Sequence, residues 1–555
     1  LSYRQSVKAG LSVSLKHPTG VALRRLWPML ARMKARNAHA KRRTTFRACA
    51  ALTLCFSQPA GAGSASIEPG ISRYTLDIEP FAEHAGENAI DLTYAPDASG
   101  RIFVSTQSGQ IYAFDREGIS LGVFLDVKQS APGFMRSDGG YNGLMYIAFH
   151  PDFARPGTPG FGKLYTSHQV AVSDDKPDYD SANVGANGDS DVRFVIARWQ
   201  VDAEHPDRID PASYRRVMLL NFHTTSSNPH AVGELAFNPY AKPGEADYGK
   251  LYIGIGDSNN RNQSTGTDLR YTQQPDNPFA KLLRIDPIEH DGKPYRIPDD
   301  NPYQSEVYAM GLRNPQNFSF ALDLEGKPVI FEFDIGAGQA EEINIIRSGG
   351  NYGWARYEGL SDYDARYALN GPSRHPVVQY GHAFPTRPGE QPTGGLAAIV
   401  GGFVVSDPDD SAFQGQLIFA DLPRGTFMHA NAYHALSVEA GGTQSRPYIM
   451  NVRLGDKLGT FADVIGAERG DTRFGVDDQG RLFLISKQTQ TIYKTRLVYT
   501  GLPVQASPQV EPGSANRAMA VPMAVIIGVV VFLAIELVWV LVSGPRFKPE
   551  ASAAA

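Results

Sequence analysis

The chain has 555 residues, 53 Lys and Arg against 58 Asp and Glu, and a net charge of −5. Residues 1–67 hold 12 of the bases and no acid, so from Glu68 onward 41 bases face 58 acids, a net −17 that excludes a phosphate backbone as the body's partner. Cys49 and Cys55, the only cysteines, both lie in the basic leader, which excludes a disulfide scaffold, Cys-ligated zinc, an iron–sulfur cluster or attached c-type haem in the body.

Residues 1–65 read as a leader: Lys41-Arg42-Arg43, the apolar run 48–57 and Ala60-Gly61-Ala62 are the basic, apolar and small-residue regions of a secretory signal. Met29 or Met33 as start would give that signal an ordinary length; an Arg-rich, acid-free leader also suits an organelle transit peptide.

Residues 66–497 form the body. With 55 Gly and 38 Pro the chain is rich in turns, and no long helical period appears in the body. One pattern recurs six times: an apolar strand, a turn of Pro, Asp or Gly, and a second apolar strand. The copies begin at Ile90, Tyr146, Glu234, Phe318, Val400 and Phe474. Paired β-branched and aromatic runs around turn residues are antiparallel neighbours, and six copies predict an all-β, six-bladed β-propeller. The segment Ser72–Leu76 is expected to pair with the last blade and close the ring.

After the body, 498–517 is a Pro-rich linker holding Pro503, Pro508 and Pro512. Residues 518–543 are apolar apart from Pro522 and Glu536, long enough for a transmembrane helix. Arg546 and Lys548 follow it, so 544–555 is expected to be a cytoplasmic tail, with the body on the periplasmic or extracellular side of the cell membrane.

In the body, His230 precedes a predicted strand and Asp257 ends the next. An imidazole titrating near neutrality is a natural general base, and a carboxylate beside it orients the ring; loop residues satisfying backbone would show the same spacing. No G-x-S-x-G, H-E-x-x-H or P-loop occurs.

Six motifs stand in order: Gly143–Phe153, His230–Phe237, Leu251–Asp257, Lys281–Pro287, Gly311–Gln316 and Glu341–Ile346, the last followed by Gly350-Asn-Tyr-Gly-Trp354. Together they make the chain, over about 85–500, resemble the soluble glucose/sorbosone dehydrogenase family, six-bladed propellers using pyrroloquinoline quinone (PQQ) and calcium. The resemblance implies that His230 is the base taking the proton from a sugar hydroxyl and Asp257 its orienting carboxylate. It implies that Arg313 and Asn314 pack on and bond the cofactor. It further implies calcium on the carbonyls of Gly336 and Ala337, with Glu341 and Glu342 as further ligands or structural acids. The chain departs from the family pattern at Tyr141, where a Gln is usual, at Pro229, where an Asp is usual, and at Pro423, where a Lys is usual. The paired arginines usual near the last blade align with Gly470 and Thr472, with Arg469 and Arg473 displaced by one. Arg424, Arg473 and Lys487 are the expected substitutes for binding the cofactor carboxylates.

The expected function is therefore a membrane-anchored oxidoreductase acting on a sugar or polyol with PQQ and calcium, passing electrons to an external quinone or cytochrome. The alternative is a non-catalytic propeller binding a carbohydrate or protein partner at the cell surface. A third reading is a calcium-dependent lactonase.

Overall fold

The computed structural model describes residues 68–501, apart from 137–141, 187, 189, 225–228, 259–267, 406 and 440–442. The leader with its two cysteines, Tyr141, most of the linker and the predicted span 518–543 lie outside the described residues. Among the described residues no helix is long and apolar enough to cross a membrane.

Each of the six sequence repeats is the start of a four-stranded antiparallel unit. The inner strands are Ala89–Tyr94, Leu144–Phe149, Val232–Phe237, Pro315–Leu322, Ile399–Val405 and Thr472–Val476. The second strands are Ile102–Thr106, Lys163–Val170, Leu251–Ile255, Pro328–Asp334, Gln416–Asp421 and Leu482–Ser486. Every inner strand packs against the inner strands before and after it, and the sixth returns to the first, a closed propeller-like ring.

Closure comes from the start of the body, as expected. Strand Gly70–Ala82 lies antiparallel on Thr491–Tyr499, in one register from Tyr74↔Tyr499 to Pro80↔Tyr493 and shifted before Ala82↔Ile492. It supplies the fourth strand of unit 6.

Six hydrophobic clusters fill the wedges between adjacent units. Phe103, Phe124, Ile147 and Phe149 join units 1 and 2, for example, and Leu92, Val104, Phe483 and Ile485 join units 6 and 1. Because both faces of most strands meet a neighbouring unit, the strands read as continuous apolar runs rather than as alternation. Near the axis the inner strands converge, and side chains run out of room. A Cβ on Gly233 or Gly254 would stand 2.4 or 2.3 Å from the Pro315 carbonyl oxygen, which only glycine avoids.

Candidate active site

The ends of the second strands and the starts of the inner strands meet on one face, because the two run antiparallel. Three units carry an aspartate there. In unit 4 Asp334 accepts the backbone N–H groups of Arg313 (2.8 Å) and Asn314 (2.6 Å). In unit 5 Asp421 accepts those of Ala398 (3.0 Å) and Arg424 (3.3 Å). Each thereby pins the chain near the entry to an inner strand.

In unit 3 the same position serves an imidazole. His230 Nδ1 lies 2.7 Å from Asp257 Oδ1. Val232 pairs with Ile255, which brings the residues flanking those strands to one end. Gly256 permits the approach: a Cβ there would fall 2.6 Å from His230 Cβ. The carboxylate is fixed on every side. Trp354 Nε1 donates to Oδ2 (2.9 Å), Tyr271 donates its hydroxyl to the Asp257 carbonyl (2.8 Å), and the Asp257 N–H donates to the Arg313 carbonyl (2.9 Å). An acceptor-only carboxylate on Nδ1 assigns the ring proton to that nitrogen and the lone pair to Nε2, the form a general base needs. The dyad is buried rather than solvated, which strengthens its polarity.

Arg313 joins this cluster. Its guanidinium lies 5.5 Å from the Trp354 ring centroid, and Nη1 donates to the carbonyls of Ile335 and Gly336, both at 2.6 Å. His230, Asp257, Arg313 and the Gly336 loop are thus brought together. Asn314 contributes its backbone N–H to Asp334.

The metal-ligand expectation finds a different arrangement. Gly336 gives its carbonyl to Arg313, so a cationic group already occupies it. Glu358 Oε1 gathers the N–H groups of Ala337, Gly338, Gln339 and Ala340 at 2.7–3.1 Å, and this carboxylate shapes the turn. Glu342 accepts from the Gly359 N–H, and burial pushes its carboxyl up to about 8. Glu341 accepts from His382 Nε2 (2.8 Å) and the Ile399 N–H (2.8 Å). Among the described residues no group of three or more His, Cys, Asp or Glu is placed to hold a metal ion.

Arg424 and Lys487 lie on the same face, and Arg473 stands between that face and the axis of the ring. Arg424 donates to the carbonyls of His382 (2.8 Å) and Phe384 (3.4 Å) and stacks on the Phe384 ring at 4.1 Å. Lys487, at the end of the second strand of unit 6, donates to Gln107 Oε1 (2.8 Å) at the matching end in unit 1. Burial, with the nearby Arg473 charge, pushes its ammonium down to about 7. Arg473 is buried at the start of the unit 6 inner strand and lines the axis of the ring.

Two residues of the site were not singled out from the sequence. Trp354 stood inside the Gly350–Trp354 motif, and its indole turns out to connect Asp257 to Arg313. Glu358 carried no signal, since its partners are backbone groups of a loop about 20 residues earlier.

HIPL1 protein of Arabidopsis thaliana is 27% identical over 421 residues, 67% of this chain and 56% of its own length. Quinoprotein glucose dehydrogenase B of Acinetobacter calcoaceticus is 29% identical over 247 residues, 43% of this chain and 44% of its own. The chain thus spans about half the length of the curated relatives it matches. A PQQ-bound aldose sugar dehydrogenase from Streptomyces coelicolor is a structural neighbour with a TM-score of 0.48 and 20% identity, covering 78% of this chain and 100% of that one. The family model for glucose/sorbosone dehydrogenase matches residues 87–440. By that match the chain belongs to the glucose/sorbosone dehydrogenase family.

Proposed function

We propose that this protein oxidises a hydroxyl of a sugar or polyol with PQQ, on the outer side of a membrane to which residues 518–543 anchor it. The observation that carries the reading is the His230–Asp257 pair at 2.7 Å, held by Trp354 and backing onto Arg313. The carboxylate keeps the proton on Nδ1, and Nε2 takes the hydroxyl proton as the C–H hydrogen leaves. Asp257 then stabilises the imidazolium.

The residues present fit an anionic, planar cofactor. Arg473 is buried and Lys487 half-buried near it; burial first and the Arg473 charge second lower the Lys487 ammonium, and a carboxylate beside both cations would offset them. The Arg313 guanidinium plane offers a stacking surface. When bound, PQQ supplies the hydride acceptor. The carbonyl arrangement at Gly336 does not fit a calcium ion, and no step is assigned to one. Electrons would leave through a quinone or cytochrome, since the body has no cysteine to attach a haem.

Two of the expected cofactor cations, Arg313 and Arg424, are engaged with backbone carbonyls. That favours, as the second reading, a propeller that binds a carbohydrate or protein partner without turnover. One experiment separates the two. Purified protein is titrated with PQQ by absorbance and then given aldoses and a dye acceptor. Dye reduction that depends on sugar and is lost in His230→Ala supports the dehydrogenase; absence of PQQ binding leaves the binding propeller.

A further inference from the structure

A cavity of about 540 Å³ lies on the axis of the ring, lined by residues of all six inner strands. Its mouth is built by residues that follow those strands, among them Pro96, Pro151, Tyr240 and Gln479. His230 and Arg313, which precede inner strands, do not line it. The cavity therefore opens on the face opposite the candidate active site.

Its deep end is acidic. Asp91 Oδ2 accepts the Ile147 N–H at 3.0 Å, and Glu234 Oε2 accepts from Asn317 Nδ2 at 3.0 Å. Glu234 sits deep in the ring yet keeps surface open to the cavity. Burial raises both carboxyls, Asp91 to about 7, and the Asp91 charge raises Glu234 further. Among the described lining residues Arg473 is the one base against Asp91, Glu234, Asp477 and Asp478, of which the last two pair with Arg481 and Arg116. Ser319 belongs to the same wall and is 4% exposed, with its Oγ enclosed and without a hydrogen-bond partner. Toward the mouth the wall is aromatic, with Tyr94, Phe237, Tyr240 and Phe403.

We propose that this axial cavity is a second binding site, which takes a small organic ammonium ion, a primary amine on a short carbon chain. The ammonium sits between Asp91 and Glu234, where two neighbouring carboxylates call for a cation. The chain runs along the aromatic wall, whose ring faces attract positive charge. A volume of this size is that of an ordinary small-molecule site. The proposal is independent of the dehydrogenase reading.

The test is calorimetric titration of the full chain with putrescine, and with 1,4-butanediol as its uncharged counterpart. Saturable binding of putrescine is expected at concentrations below about 1 mM, with none for the diol. The double variant Asp91→Asn, Glu234→Gln should weaken it by about tenfold or more, a loss of about 1.4 kcal/mol. Ser319→Leu, which fills the cavity from its wall and leaves the carboxylates in place, should abolish it and serves if the double variant does not fold. No saturable heat up to about 10 mM putrescine, equal binding of the diol, or binding unchanged in Ser319→Leu would each overturn the proposal.

Discussion

Asp257 shows how much one side chain has to satisfy. Its two oxygens receive two different N–H donors, from His230 and Trp354. An asparagine has one acceptor and one NH₂ for these two donors, so one contact becomes donor against donor. Asp257→Asn is therefore expected to lower kcat for sugar oxidation by about 10²–10⁴, the usual worth of a positioned base, while PQQ binding followed by absorbance stays unchanged. Lys487 makes a pH prediction. Its ammonium, held near 7 in the fold, has an unfolded value of about 10.4. Between those values the folded chain binds fewer protons, so stability rises with pH above about 7. The cost of burying the charge is felt in full below that pH. Lys487→Met should flatten the slope of the urea midpoint between about pH 7 and pH 9; an unaltered slope would show that the ammonium is solvated.

The strand Gly70–Ala82 closes the ring and carries Leu76, Ile78 and Ala82 into the wedges beside unit 6. Leu76 is fully buried, so Leu76→Ala removes about 2–5 kcal/mol through lost transfer energy and the cavity left behind. Leu458→Ala, at a position 59% exposed, should change stability by no more than about 0.5 kcal/mol. Chemical denaturation of the two variants compares them directly. The second strands matter for a different reason. Each ends on the active-site face, and what stands at that end sets the local chemistry: a carboxylate in units 3, 4 and 5, an ammonium in unit 6.

For the molecule as a whole, the ring has two faces with different charge. One gathers the imidazole, the strand-end carboxylates of units 3, 4 and 5 and the predicted cofactor cations, and the other opens a cavity lined by four carboxylates and one base. The anchor proposed for residues 518–543 has its own test. Full chain expressed in cells should stay in the membrane pellet through alkaline carbonate, and chain ending at residue 501 should not; release of both forms would remove the anchor.

The repeats at Ile90, Tyr146, Glu234, Phe318, Val400 and Phe474 were readable as strand pairs because local pattern and turn chemistry specify hairpins. Their number was enough to imply a ring and its closing strand. His230 and Asp257 were also readable, since each adjoins a strand of one hairpin and short-range pairing sets them together. Contacts between units, and between a unit and its own long loops, were not. Trp354 reaches Asp257 across 97 residues, Arg313 turns onto the Gly336 carbonyl instead of leaving it for calcium, and Glu358 takes four loop N–H groups. Asp91 and Glu234 share a cavity although 143 positions separate them. Such contacts depend on how adjacent blades wedge together and on how long loops fold back over a blade, and a hairpin pattern carries no information about which groups either brings face to face.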